Sequence, residues 1–318
     1  MSRVRSEVLD WFAARLVVPG KELETLRLAG MIPSPAQWRV FLGNLALWLG
    51  ILAVAAALIF FFAFNWQDIS RFTKFGLVEA LIVGALVTGW RVGLEGMAGK
   101  AVLTFLCLLV GALLAVVGQI YQTGADTYEL FALWSVLILP WVVVSRFVPL
   151  WLIWLGLLNV AAILYFSLGH AEERVLWAPF LLNSLALTAW EATHRSGLSW
   201  VKEDWPPRLV AVASATAATA LILWAIFDGE RGSAVLATLV YLAWIAGLYG
   251  WYRHVRTDLL MLAAGFLSLI IAVAAFLSNG LLESGNEGGA FLFIGLTVIG
   301  MSAVGAFWLR SIAHEEVA

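Results

Sequence analysis

The chain has one cysteine, Cys107, four histidines, and a charged fraction of only 13% in 318 residues. A single cysteine excludes an intrachain disulfide framework and a cysteine-rich metal site. His170, His194, His254 and His314 are scattered and show no HExxH or comparable ligand spacing. The GxxxxGK[ST] phosphate loop, the GxSxG elbow and the GxGxxG fingerprint are all missing. No cofactor is therefore indicated, and an enzyme is the less favoured class. The formal net charge is −2 with no run of five like charges, which argues against a nucleic-acid partner.

What the chain has instead is apolar surface. Hydrophobic residues make up 62% of it, and the mean hydropathy is +0.92. A soluble fold of this length cannot hide so much apolar surface, and low charge with high hydrophobicity excludes disorder. The lipid bilayer is the expected partner and solvent. A helix needs about 20 apolar residues to cross roughly 30 Å of hydrocarbon. Ten runs approach that length, near residues 40–64, 75–93, 101–121, 128–145, 148–168, 175–191, 208–227, 233–251, 258–278 and 290–309. They are continuous rather than alternating, which favours helices over a membrane barrel. The expected fold class is all-α, a polytopic integral membrane protein of about ten transmembrane helices. Roughly 39 mostly polar residues precede the first run, a layout unlike a cleavable signal.

Those residues read as a short cytoplasmic helical head. Val4, Val8, Phe12 and Leu16 recur every four positions with charges on the other faces, so an amphipathic helix is expected to run to Pro19 and Gly20. A second short helix is expected from Lys21 to Ala29, ended by Gly30. Ser34 followed by Pro35 reads as N-cap and first helical position of the helix that becomes the first span. Three segments follow: the head over 1–39, a first membrane half over 40–168, and a second over 169–318. The head is either an interfacial helix or a docking module for a cytoplasmic or membrane protein partner.

With ten spans and both termini on one side, that side receives 15 of the 19 Lys and Arg and the other side 4, namely Arg71, Lys74, Arg174 and Arg231. The asymmetry predicts a multi-pass protein of the bacterial inner (plasma) membrane with both termini cytoplasmic. Trp66, Trp90, Trp141, Trp151, Trp177, Trp190, Trp251 and Trp308 fall near span ends, as an interfacial belt requires. In the span near 208–227, Ala211, Ala215 and Thr219 follow the small-xxx-small spacing that lets helices approach closely. Asn159 and Asn183 fall near the midpoints of two spans, where an interhelical amide hydrogen bond is expected. Pro140 marks an expected kink.

Ionisable groups inside a membrane are costly and default to function. Glu79 lies about 7 Å into the second run at the helical rise. Gln119, Tyr121, Gln122, Asp126 and Glu129 cluster between the third and fourth runs at the same expected outer side, with Trp66 in the preceding loop. Carboxylates, amides and aromatics together suit a small polar ligand, an ion or a lipid head group. The alternative for Asp126 and Glu129 is helix capping and dipole compensation.

The run from Gly118 through Asp126, followed by Tyr128 to Trp134 and by Leu139, Pro140 and Trp141, resembles a bacterial integral membrane family known as domain of unknown function 2157. Asn65, Trp66, Lys74 and Phe75 are similar to that family, as are Gly30 to Ile32 and Gln37 in the head. The likeness covers about residues 20–165. It implies membrane location and importance of this outer loop, with no catalytic residue to carry over. The leading expectation is a membrane protein that binds or transports a small polar ligand through the outer-face patch. Its rival is a scaffold or accessory subunit that binds partner proteins. Transport would need a polar path reaching the cytoplasm, and the later spans supply few candidates beyond Asn159 and Asn183.

Overall fold

The computed structural model describes the chain except residues 1, 2, 66, 123, 170, 171, 196, 202, 283–286 and 316–318. Among the described residues there are twelve α-helices and no strand. The chain is an all-α polytopic membrane protein. It divides into two compact units, Met1–Tyr121 and Gln122–Glu316.

The first unit opens with α1 (Arg3–Ala13) and α2 (Glu22–Leu28). Helix α1 stops before Pro19, because the chain turns at Arg15 with φ 54°. There the Leu16 N–H bonds to the Trp11 carbonyl and the Arg15 N–H to Phe12. This is a Schellman ending built on arginine where glycine is usual. Leu16 consequently leaves the helical stripe and is 71% exposed, whereas Val8 is buried. Helix α2 ends as expected, with Gly30 at φ 68° and Met31 bonded back to Leu26.

Helix α3 (Pro35–Phe64) starts on a full capping box. The Ser34 hydroxyl accepts from the Gln37 N–H while the Gln37 side chain accepts from the Ser34 N–H. Its sides are apolar all round and mostly exposed, as a lipid-facing helix requires. Helices α4 (Arg71–Val92) and α5 (Met97–Tyr121) complete the unit. Helix α5 packs against both α3 and α4 and buries a face that includes Ala101, Leu106, Cys107 and Leu109.

The second unit contains α6 (Thr127–Ser145), α7 (Val148–Ser167), α8 (Glu172–Arg195), α9 (Trp205–Phe227), α10 (Arg231–His254), α11 (Leu259–Leu282) and α12 (Glu287–Glu315). Helices α6 and α8 run on through Pro140 and Pro179. Pro206 and Pro207 occupy the first turn of α9, where a missing N–H has no cost. Helix α9 packs against α8, α10 and α11. Its small residues make this possible, since Ala211, Ser214, Ala215 and Ala218 are all buried. The alanine spacing thus serves packing within the chain.

Among the described residues nine helices of the two units are long and apolar enough to cross a membrane, and α8 falls outside that set. The run expected near 175–191 does form a helix, of 24 residues. Its composition is the reason it differs: it carries Asn183, Ser184, Thr188, Glu191, Thr193, His194 and Arg195. A helix of that kind needs neighbours to satisfy its polar groups. Those neighbours form the site.

Candidate functional site

Along α8, Ser184, Thr188, Glu191 and Arg195 recur at three- and four-residue intervals and therefore share one face. The α10 residues Trp244, Gly247, Leu248, Trp251 and Tyr252 do the same. The two helices flank α9 and are tied at two levels. At the deeper level the Ser184 hydroxyl lies 2.8 Å from that of Ser214 on α9, which accepts the Trp244 indole N–H at 3.1 Å. At the helix ends the Tyr252 hydroxyl donates to Glu191 Oε1 at 2.9 Å. Between the ties lies a cavity of about 520 Å³ lined by both stripes. Thr188, Ala192, Arg195 and Gly247 on its border are exposed.

Glu191 is 6% exposed, and it is the buried charge of this cavity. Besides Tyr252 it accepts from Arg256 Nη1 at 3.2 Å on each carboxylate oxygen. The other Arg256 nitrogen donates to Asp204, in the loop before α9. Nearby, Arg208 donates to Asp258 at 2.9 Å, and the second oxygen of Asp258 caps α11 by accepting from the N–H groups of Leu260 and Met261. Arg253 donates to Glu315 of α12 at 2.6 Å. His194 Nε2 stays 4.0 Å from Asp204, outside hydrogen-bonding range. These bonds gather one end of α8, α9, α10, α11 and α12 into an ionic layer. Within it Glu191 and Asp258 are withdrawn from water and must be matched by partners, whereas Asp204 and Glu315 stay exposed.

Above that layer the unit is joined by neutral polar pairs. Asn159 on α7 and Asn183 on α8 exchange amide hydrogen bonds of 3.2 and 2.7 Å, so the interhelical bonding expected at mid-span is made by the two with each other. Thr219 on α9 and Tyr241 on α10 both meet the Ser268 hydroxyl of α11, at 2.7 and 3.0 Å. On the opposite side of α8, Trp151, Trp154, Trp190 and Trp200 line a second cavity of about 320 Å³. Trp151, Trp190 and Trp251, expected in the interfacial belt, therefore border cavities of this unit.

The residues singled out from sequence fall elsewhere. In the first unit, Glu79 and Gln119 are exposed, and Tyr121 is exposed with its ring 6.0 Å from Phe75. In the second unit, Gln122, Asp126 and Glu129 are exposed, and Gln122 has φ 42°. Asp126 stands at the N-cap of α6, but its side chain makes no capping hydrogen bond. Capping is thus confined to its backbone, whose carbonyl accepts from the Glu129 N–H. Glu129 is in the first turn and accepts from the Tyr128 hydroxyl at 3.4 Å. Trp66 lies outside the described residues.

Sequence reasoning missed Glu191, Arg256 and Arg195, although the stripe at 184, 188, 191 and 195 was readable. Glu191 sat at the margin of an apolar run and passed for a boundary residue, and its partner Arg256 is 65 positions away. The carboxylates at this end of the unit are engaged by donors, and among the described residues no three His, Cys, Asp or Glu side chains are grouped to hold a metal. No curated protein and no solved structure matches the chain. Residues 10–151 match the model of the family described as "Predicted membrane protein (DUF2157)", so this first part of the chain is similar to that family.

Proposed function

We propose that this is a bacterial inner-membrane protein, both termini cytoplasmic, that binds a membrane amphiphile between α8 and α10. The observation carrying the proposal is the cavity itself. Its walls are Leu187, Leu248, Trp244 and Trp251, and its charged groups are confined to the end at Glu191 and Arg195. Apolar walls with a few polar groups at one end suit a molecule with a tail and a head. Its α8 lining runs from Ser184 to Arg195, about 16 Å of a helix about 36 Å long at 1.5 Å per residue. A cavity of that depth supports binding from one membrane face rather than passage through it.

The orientation counts the 24-residue α8 as a tenth crossing, held among its neighbours, and rests on the 15-to-4 distribution of Lys and Arg that follows, with Arg208, Arg253 and Arg256 all in the ionic layer. A reporter enzyme fused after Ala318 is expected to be active only in the cytoplasm. Periplasmic activity would overturn the orientation.

The binding reading is tested by thermal unfolding of the purified protein in mild detergent against phospholipids, fatty acids, sugars, amines and ions. A ligand of the folded state stabilises by about 2.7 kcal/mol at a hundredfold excess over Kd. Saturable stabilisation by amphiphiles alone is expected, and it should vanish in Gly247→Phe. A Cβ at Gly247 meets nothing within 4 Å, so the new ring has room to occupy the cavity without displacing backbone. Stabilisation by the water-soluble panel only, or by nothing, would favour the scaffold reading.

A further inference from the structure

Building on the amphiphile reading, we infer that the cavity selects an anionic phospholipid, with its phosphate on the Arg195 guanidinium and one acyl chain between α8 and α10. The arginines of the ionic layer differ in what they hold. Arg208 is engaged by Asp258, Arg253 by Glu315, and Arg256 by Glu191 and Asp204. The Glu191 charge at the cavity's end is thereby already matched. Arg195 instead lies over the Trp251 ring, 4.3 Å from its centroid, and among the described residues it pairs with no carboxylate.

Stacking on an indole holds a guanidinium plane at fixed orientation and leaves its N–H edge for an anion. That edge matches two phosphate oxygens, the geometry in which arginine binds most strongly. Arg195 is also in the last turn of α8, where the helix dipole favours a cation. That interaction uses charge and leaves the donors of the fork unspent. Beneath it, Leu187, Leu248 and Trp244 line about 520 Å³, room for one chain but not for a whole two-chain lipid. The second chain stays in the bilayer, reached past the exposed Thr188 and Gly247. A cation with no carboxylate partner among the described residues matches a ligand with one uncompensated negative charge, which selects an anionic over a zwitterionic phospholipid.

The test uses the full chain in mild detergent, titrated with dioleoyl phosphatidylglycerol, dioleoyl phosphatidylcholine and inorganic phosphate, with thermal stabilisation as readout. Phosphatidylglycerol is expected to bind about tenfold more tightly than phosphatidylcholine, whose phosphate is already compensated by its own quaternary ammonium and so gains less from Arg195. Arg195→Gln should abolish that preference while phosphatidylcholine binding is retained, and Arg195→Lys should keep part of it. Equal binding of the two lipids that Gly247→Phe removes would overturn the head-group inference and leave the amphiphile reading standing. A preference unchanged in Arg195→Gln would overturn it too. Stabilisation by inorganic phosphate equal to that by phosphatidylglycerol would mean a free-anion site and refute the lipid assignment. Lipid effects that ignore Gly247→Phe, or none at all, would sink both readings.

Discussion

Replacing Glu191 by Ala is expected to destabilise the second unit by about 3 kcal/mol, the range found when one partner of a buried ion pair is removed. Glu191 is buried and accepts three hydrogen bonds, one from Tyr252 and two from Arg256. Its loss leaves the Tyr252 hydroxyl without an acceptor inside the protein and removes half of the charge holding Arg256. Arg256 keeps Asp204, so the fold should survive at reduced stability. Glu191→Gln retains an oxygen for Tyr252 and should lie between wild type and Ala. The informative comparison is the double variant Glu191→Ala, Arg256→Met, in which neither charge remains. Because an unmatched buried charge costs more than an absent pair, the double variant should be less destabilised than the two single losses added together. Equilibrium unfolding in mixed micelles measures wild type, Glu191→Gln, the single variants Glu191→Ala and Arg256→Met, and the double variant. Strict additivity would show that the pair contributes no coupling.

Gly99→Ala should be the most damaging substitution in the first unit. A Cβ at residue 99 would fall 1.9 Å from the Gly93 carbonyl oxygen and 2.8 Å from the Leu94 Cα. Both neighbours are backbone, so no rotamer change relieves the overlap. Gly93 has φ 77° and ends α4 with its N–H on the Gly89 carbonyl, which anchors the turn against movement. The cost is expected at the upper end of overpacking effects, about 3 kcal/mol or more. Gly96→Ala is the control, since a Cβ there meets nothing within 4 Å and should change stability by less than about 0.5 kcal/mol. Yield of monodisperse protein and the melting temperature report both. Equal behaviour of the two variants would show that the α4 to α5 turn is looser than its geometry implies.

Some of the site was open to sequence reading and some was not, for different reasons. An interhelical bond at Asn159 and at Asn183 was legible because an amide in hydrocarbon needs a partner and each sits at mid-span, while their pairing with each other came from the fold. The Ser34, Pro35 and Gln37 start of α3 was legible because capping is local, all its atoms lying within four residues. Helix α1 ended earlier than expected because the turn uses Arg15 in a left-handed conformation, which leaves no glycine to read. Glu79, Asp126 and Glu129 drew attention by charge, and the structure leaves their side chains exposed. Glu191 went unnoticed because the residues that make it tolerable, Tyr252 and Arg256, come from a helix and a loop more than 60 positions later.

Composition and periodicity alone determined that the chain is helical, that the bilayer is its solvent and where its long helices run, since hydrophobic length and hydrogen-bond closure within a helix are local properties. They also determined the Lys and Arg asymmetry. The tertiary structure alone decided that α9 is the helix around which α8, α10 and α11 pack, and that the polar stripe of α8 faces α10 across a cavity. It alone decided which arginines meet carboxylates and that Arg195 meets an indole instead. The reason is physical: a helix sequence specifies which residues share a face, but the partner of that face depends on packing between segments far apart in the chain.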